Sequence, residues 1–369
     1  MELFPPSADS AAMKKFWIID FYFGREITTK CVITGIWLLA IYLFISLLDL
    51  LEDVNVEEDF QFVGEVLLFS IPRMLYELAP MILLIGTILA MATLSRRLEL
   101  VALQAGGVSK FRITASVVGY AMFVALIMFV WGELVVPNSE VKLYLKKDNH
   151  VSRQNAETPE YGLWYRDGNQ FIHVTPKFSD NTLKSIEIFH FDPNGRLVKL
   201  TNAAGGIFSK EKKNLKLYGV IESTLENRRI VRLKSESKDH RIEAELNVIG
   251  AHKRDPSQLT MLELYRAIDF LKVNGLKTEF LDLAFWNRLI SPISMFVMAL
   301  FAVLFAYRFR PKLSNGHLVF VGLLFGLLYF SIQHSVGYIT LLNGLQPVIG
   351  TFTTFLIFSI GAIVALARN

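Results

Sequence analysis

The chain has 369 residues, 52% of them apolar and only 20% charged, with a mean hydropathy of +0.39. Soluble domains carry about a quarter charged residues, so the composition argues against a wholly soluble enzyme. Residues 137–280 hold 24 of the 38 Lys+Arg and 19 of the 34 Asp+Glu, which marks one soluble insert inside a membrane protein. The net charge of +4 forms no basic stripe interleaved with aromatics, which argues against nucleic acid, and a single cysteine, Cys31, leaves no internal disulfide framework.

A helix needs about 20 mostly apolar residues to cross roughly 30 Å of hydrocarbon. Five stretches approach this with little or no charge: Cys31 to Leu48, Leu78 to Leu94, Ile113 to Gly132, Leu289 to Tyr307 and Val348 to Ala367. A further one, Leu318 to Leu342, is interrupted by glycines, Gln333 and His334, which packed membrane helices tolerate. Six spans are expected. The first lies behind Asp20 and Glu26 with no small-residue cleavage site after it, so it reads as a retained helix and not a signal peptide.

Lys14, Lys15, Arg25 and Lys30 precede the first span; Arg96, Arg97, Lys110 and Arg112 follow the second; Arg308, Arg310 and Lys312 follow the fourth. The loop Asp49 to Phe62 has six acids and no Lys or Arg, and the loop after the fifth span has no charge. The positive-inside rule then places both termini in the cytoplasm and exports the segment between spans three and four. Three regions are expected: 1–136 with spans one to three, 137–280 outside, and 281–369 with spans four to six.

Within the insert, Tyr161 to Pro176, Ser185 to Leu200 and Asn214 to Leu246 alternate aromatic and β-branched residues, punctuated by Arg166-Asp167-Gly168-Asn169 and Asp192-Pro193-Asn194-Gly195. The expectation is an all-β domain, a sandwich or incomplete jelly roll. Phe171, Phe189, Phe191 and Tyr218 are expected to fill its core, and Lys210-Glu211-Lys212-Lys213 to form a solvated hairpin tip. Leu259, Leu262, Leu264, Ile268 and Leu271 recur near a 3.6 period, so a short amphipathic helix is predicted over about 257–274, ending at Gly275.

No phosphate-binding loop, dinucleotide glycine fingerprint, nucleophile elbow or metal-spaced His/Cys set is present in the sequence, so no enzyme is read here. The loop Ser95 to Arg112, SRRLELVALQAGGVSKFR, is the most informative short segment. Leu98, Val101, Ala102 and Ala105 share a helical face, Glu99 projects from another, Gly106-Gly107 ends the run, and Ser109 is placed to cap the next helix. A short helix over about 95–107, parallel to the membrane, follows. It reads either as an interfacial connector whose arginines meet anionic lipid or as a coupling helix for a cytoplasmic partner.

Ionisable groups near the membrane are functional candidates because leaving one in hydrocarbon is costly. Arg73 and Glu77, four apart between Pro72 and Pro80, fit an intrahelical pair or a contact to an anionic substrate. Asp49 and Glu133, at the outer ends of spans one and three, are candidates for contacts to other helices or a bridging divalent cation. Gly322 and Gly326 form a G-x-x-x-G that permits close helix approach, and His334 reads as hydrogen-bonded within the bundle.

The segment Arg97-Leu98-Glu99-Leu100-Val101-Ala102-Leu103-Gln104-Ala105-Gly106-Gly107-Val108-Ser109 resembles the coupling-helix signature of the LptF/LptG permease family. Gly24-Arg25-Glu26, Gly132-Glu133-Leu134-Val135-Val136-Pro137 and the phrase from Gly162 to Phe171 resemble the same family, and the likeness covers nearly the whole chain. That phrase, the run at 259–264 and a terminus just after span six are closer to the G-type branch than to the F-type. The resemblance implies a polytopic α-helical membrane protein, six transmembrane helices arranged 3 + 3, with an inserted all-β periplasmic jelly-roll-like domain. It implies an inner-membrane permease of an ABC transporter that exports lipopolysaccharide, non-catalytic itself and binding no cofactor, with ATP and Mg used by a partner ATPase. The implied partners are an LptF-type permease, an LptB-type ATPase dimer, and LptC- and LptA-type jelly-roll proteins. Arg97, Leu98, Glu99, Leu100, Val101, Ala102 and Gly106 would couple to the ATPase; Arg73, Glu77, Asp49, Glu133, Gly322 and Gly326 would serve the substrate cavity or gate, with spans one and five as the lateral gates. Family members often carry basic residues along outer span one, whereas this chain has Ser46 and then Asp49, Glu52 and Asp53. The alternatives are the paired LptF-type subunit, a secondary transporter of amphiphiles, and a membrane-anchored binding module.

Overall fold

The computed structural model describes residues 8–53, 60–154, 163–167, 169–176, 182–192, 195–209, 214–226, 229–241, 255–273, 275–308 and 314–367. The chain divides into two compact units, Met1–Leu143 with Asp282–Asn369, and Tyr144–Leu281.

The first unit is helical. It contains α1 (Ala8–Asp53), α2 (Phe60–Arg96), the short α3 (Glu99–Ala105) and α4 (Lys110–Leu134). The helix α5 (Val136–Gln154) leads out of it. After the second unit come α7 (Glu279–Arg308), α8 (Asn315–Leu342) and α9 (Pro347–Ala367). Among the described residues six helices are long and apolar enough to cross a membrane, one for each expected span. Each extends beyond its apolar stretch; α1, with 46 residues, is about 69 Å long at 1.5 Å per residue, more than twice the hydrocarbon thickness.

The helix α2 is the hub, packing on α1, α3, α4 and α8. Its inward residues Leu83, Met91 and Leu94 join Phe23 and Ile27 of α1, Ile113 and Val117 of α4, and Met295, Ala299 and Val303 of α7 in one apolar cluster. A second cluster joins Leu84 and Ile88 to Met298 and Ala302 of α7 and to Leu318 and Tyr329 of α8. By contrast, α1 leaves Ile36, Trp37, Ile41, Phe44, Ile45 and Leu48 exposed.

Small residues set the closest crossings. A Cβ on Gly86 would lie 2.8 Å from Cys31 Cα, so α1 and α2 meet there at backbone distance. The G-x-x-x-G of α8 packs on α2 of the same chain: a Cβ on Gly322 would lie 2.8 Å from Ile85 Cγ1, and one on Gly326 2.8 Å from Met81 Cγ. One internal proline is compensated from a neighbouring helix. Pro292 within α7 cannot donate to the carbonyl of Arg288, four residues earlier, and Tyr76 Oη of α2 donates to that oxygen at 3.2 Å.

Among its described residues the second unit carries six strands, β1 (Leu163–Asp167), β2 (Gln170–Pro176), β3 (Thr182–Phe191), β4 (Leu197–Ser209), β5 (Asn214–Glu226) and β6 (Arg229–Arg241). They form one antiparallel sheet in the order β1-β2-β3-β4-β5-β6. The insert is thus all-β as its alternation implied, and its described strands make an up-and-down sheet with no second sheet among them. The turn at Asp192 is as expected: Gly195 takes φ +76° and the Arg196 N–H donates to Asp192 Oδ1 at 2.8 Å. Ser209 pairs with Asn214, and the expected hairpin tip 210–213 between them lies outside the described residues, as do Gly168, 193–194 and 242–246 of the other β-region expectations.

The aromatic residues do not fill this core. Phe171 and Tyr218 are exposed, whereas Ile172, Ile186, Ile188, Leu215, Leu217 and Val220 are fully buried. Successive strand residues point to opposite faces, so Ile172 pointing inward turns Phe171 outward, where it pairs with Phe189 across the strands and meets Phe191 edge-on at 5.4 Å. In β5 the alternation slips by one: Gly219 takes φ +63°, and buried residues fall at 215 and 217 before it but at 220 and 222 after it.

The predicted amphipathic helix is α6 (Met261–Val273), preceded by a 3₁₀ turn at Pro256–Gln258. Thr260 and Glu263 close a capping box, Glu263 Oε2 accepting from the Thr260 N–H at 2.9 Å and Thr260 Oγ1 from the Glu263 N–H at 3.3 Å. Leu259, Leu264, Ile268 and Leu271 are buried as expected; Leu262 is exposed, and Ala267 completes the inner stripe.

Candidate functional site

The charged candidates gather at the two ends of the helical unit. At one end the chain turns from α2 into α3 through Leu98, which adopts the left-handed φ of +60°. For a non-glycine residue this conformation costs roughly 1–3 kcal/mol and persists only where its surroundings enforce it. Leu98 is therefore a turn residue outside α3, and α3 is shorter than the predicted 95–107. The other end of α3 closes in a Schellman arrangement. Val108 N–H donates to Leu103 O at 3.0 Å, Gly107 N–H to Gln104 O at 3.0 Å, and Gly107 takes φ +87°. Ser109 Oγ then accepts from the Arg112 N–H at 3.2 Å and starts α4.

This geometry splits the predicted coupling residues. Leu98 and Val101 are exposed at 66% and 58%, and Ala102, Ala105 and Gly106 are exposed beside them. Leu100 faces the opposite way: it is only 6% exposed and packs in the cluster with Ile19, Phe23, Leu94 and Ile113, so it seats α3 on the bundle and offers no outer surface. Glu99 accepts a hydrogen bond from Tyr22 Oη of α1 at 2.6 Å, with Arg97 at 3.9 Å. Two residues earlier on α1, Asp20 receives Arg112 of α4 at 2.7 Å, and Arg112 also reaches Ser116 Oγ at 3.1 Å. Tyr22 and Asp20 could not be singled out from sequence, because their partners lie 77 and 92 residues away.

At the other end, Arg73 Nε and Glu77 Oε1 pair at 2.8 Å as the i, i+4 spacing allowed. The pair is part of a larger network. Arg73 also reaches the buried Glu140 of α5 at 3.6 Å, and Tyr42 of α1 donates to Glu77 Oε2 at 3.1 Å. Trp131 Nε1 donates to the Pro72 carbonyl at 3.1 Å, fixing α4 to the turn that carries Arg73. Glu133 is half-buried next to Gly132, whose bare face is covered by the Tyr76 ring; Asp49 is exposed near the end of α1. Gly322 and Gly326 do not line an opening, because Ile85 and Met81 of α2 occupy the space beside them. His334 faces the Phe330 carbonyl of its own helix at 3.2 Å and stacks on the Phe330 ring at 4.2 Å. Among the described residues no three His, Cys, Asp or Glu side chains come together to hold a metal ion.

The β unit has a charged cluster that sequence reading missed. Glu222 Oε1 receives Lys199 Nζ at 2.6 Å and Lys238 Nζ at 2.7 Å, from the two strands flanking β5. Burial alone would raise the Glu222 pKa, but the two lysine hydrogen bonds and charges outweigh it and hold the carboxyl down at about 2. His190 of β3 and His240 of β6 meet edge-on at 6.0 Å beside these lysines. Burial lowers the pKa of both; the other histidine ring and Lys199 push His190 further down, and Lys238 and Lys199 do so for His240.

Six membrane-length helices among the described residues, interrupted by an all-β unit, with a strained loop helix at one end of the bundle and a charged network at the other, define a polytopic integral membrane protein. The family model for the lipopolysaccharide export system permease LptF/LptG matches residues 21–368. The chain belongs to that family. It is 28% identical over 340 residues to the lipopolysaccharide export system permease protein LptG of Escherichia coli K12, covering 92% of this chain and 94% of the relative. It is 25% identical over 343 residues to the LptG of Haemophilus influenzae, covering 92% and 95%.

Proposed function

We propose that this chain is the G-type permease of an inner-membrane ABC exporter that withdraws lipopolysaccharide from the bilayer and hands it to LptC- and LptA-type bridge proteins. It pairs with an LptF-type permease, and an LptB-type ATPase dimer beneath them hydrolyses ATP with Mg. Both termini and α3 face the cytoplasm, where the Lys and Arg of the short loops are concentrated, and the β unit faces the periplasm. Curated relatives of the G type spanning nine-tenths of the chain support the choice of branch.

The observation that carries this reading is α3. A helix of seven residues, bounded by a left-handed leucine and a Schellman glycine, turns Leu98, Val101 and Ala102 outward with Glu99 at its first turn. Exposed leucine and valine on a charged loop fit a partner's apolar groove better than water. At the far end, Arg73 supplies the cation for the lipid's phosphate groups, exchanging Glu77 and Glu140 for phosphate oxygens. The test is co-purification of the wild-type chain and a Glu99→Ala, Val101→Asp variant with an LptB-type ATPase and an LptF-type partner, followed by lipopolysaccharide-stimulated ATP hydrolysis. The variant is expected to lose ATPase recruitment or stimulated turnover; a variant that assembles and turns over like wild type overturns the reading.

A further inference from the structure

We propose that Tyr22 is a positioning residue that passes the movement of α3 to α1, so that engagement of α3 by its partner shifts the outer end of the first spanning helix. The inference rests on the reading of α3 as the ATPase docking element. The start of α1 is gripped at three points: Tyr22 Oη on Glu99 at 2.6 Å, Asp20 on Arg112 at 2.7 Å, and Ile19 and Phe23 in the cluster that holds Leu100. The apolar contacts are non-directional and let one helix slip on another, whereas the Tyr22 hydrogen bond to a carboxylate has a fixed direction and length. It is a direct polar link between α1 and α3.

Beyond this grip α1 crosses α2 at backbone distance, at Cys31 against Gly86, and past the crossing most of its apolar side chains are exposed. Its outer half is tied to α2 by Tyr42 Oη on Glu77 at 3.1 Å. The rod therefore has a fulcrum. Tyr22 lies nine residues before Cys31 and Tyr42 eleven after it, giving arms of about 13 Å and 16 Å at 1.5 Å per residue. A sideways displacement of about 1 Å at Tyr22 becomes about 1.2 Å in the opposite sense at Tyr42, which stretches a 3.1 Å hydrogen bond beyond bonding distance. Movement of Glu99 would thus part Tyr42 from Glu77 and free the outer half of α1 from the Arg73–Glu77 pair of α2.

Tyr22→Phe keeps the ring and its packing and removes only the donor. The full chain, with Cys31→Ala and spin labels at Phe44→Cys on α1 and Ile349→Cys on α9, is assembled with its partner permease and ATPase. The inter-label distance is compared without nucleotide and with ATP trapped by vanadate, alongside recruited ATPase and lipopolysaccharide-stimulated hydrolysis. With Tyr22 present the distance is expected to shift on trapping. In Tyr22→Phe, recruitment stays the same, the shift falls by half or more, and stimulated hydrolysis falls about 3- to 10-fold, the scale of one ordinary net hydrogen bond. A wild-type shift and wild-type stimulation in Tyr22→Phe overturn the inference, and so does loss of recruitment, which would make Tyr22 part of the docking surface. If the chain with Tyr22 intact recruits no ATPase, the docking reading itself fails and takes this inference with it.

Discussion

Replacing Gly86 by Ala tests how closely α1 and α2 must approach. The added Cβ would lie 2.5 Å from Cys31 Sγ, 2.8 Å from Cys31 Cα and 2.9 Å from Cys31 N. Non-bonded carbons sit best about 3.5–4.0 Å apart, so α1 must retreat by roughly 0.8 Å at the crossing. Two of the three contacts are backbone, so no rotamer change relieves them, and overpacking of this kind costs about 1–3 kcal/mol. At about 2–4 °C per kcal/mol for chains of 150–250 residues, the apparent Tm of the purified protein in detergent micelles should fall by roughly 3–10 °C. A second substitution, Cys31→Ala, removes only the Sγ contact and should restore less than half of the loss. The reasoning is refuted if Gly86→Ala melts within about 1 °C of the parent, or if Cys31→Ala restores it fully, since either result would mean that the backbones are not in contact.

The β unit should be acid-sensitive. Glu222 titrates at about 2 instead of 4.5 and both histidines below their ordinary 6.5, so all three bind protons less readily in the folded sheet. The stability they contribute is complete above about pH 6.5 and is lost as pH falls, first through the histidines and then between pH 4.5 and 2 through Glu222. Glu222→Gln should destabilise the sheet by about 2 kcal/mol, after allowance for solvent screening of the part-exposed lysines, and should flatten the lower limb of the profile. Hydrogen exchange of β4 to β6 between pH 7.5 and 3 measures both; protection independent of pH would contradict the assignment. Tyr76→Phe removes the hydroxyl's hydrogen bond to the Arg288 carbonyl released by Pro292, and should cost about 1 kcal/mol in membrane-like solvent. A thermal melt in micelles detects it, with an unchanged midpoint counting against the role given to the Tyr76 hydroxyl.

Much of the site was legible because it is local. The Arg73–Glu77 spacing, the Ser109 cap and the Gly106-Gly107 stop each depend on residues within one turn, where helical geometry fixes who meets whom. The partners of those residues were not legible. Glu140 joins Arg73, Tyr42 joins Glu77 and Tyr22 joins Glu99 only through helix crossings between distant segments. Leu100 reads as a coupling residue only through the resemblance of its segment to the family signature, and the fold turns it into the bundle beside the left-handed Leu98.

Composition and period by themselves determined six spans and an all-β insert, because hydrocarbon thickness and strand alternation constrain every segment independently of its neighbours. Tertiary structure alone decided which of two faces is the inside. In the sheet, the parity slip at Gly219 and the inward turn of Ile172 set aliphatic residues in the core and aromatics outside, with Lys199 and Lys238 closing on Glu222. In the bundle, the glycines of α8 met α2 and left no opening, and α1 was held at its start and left exposed beyond Cys31. A linear pattern records that a residue is apolar, small or charged, but the free energy of placing it depends on what the fold brings alongside.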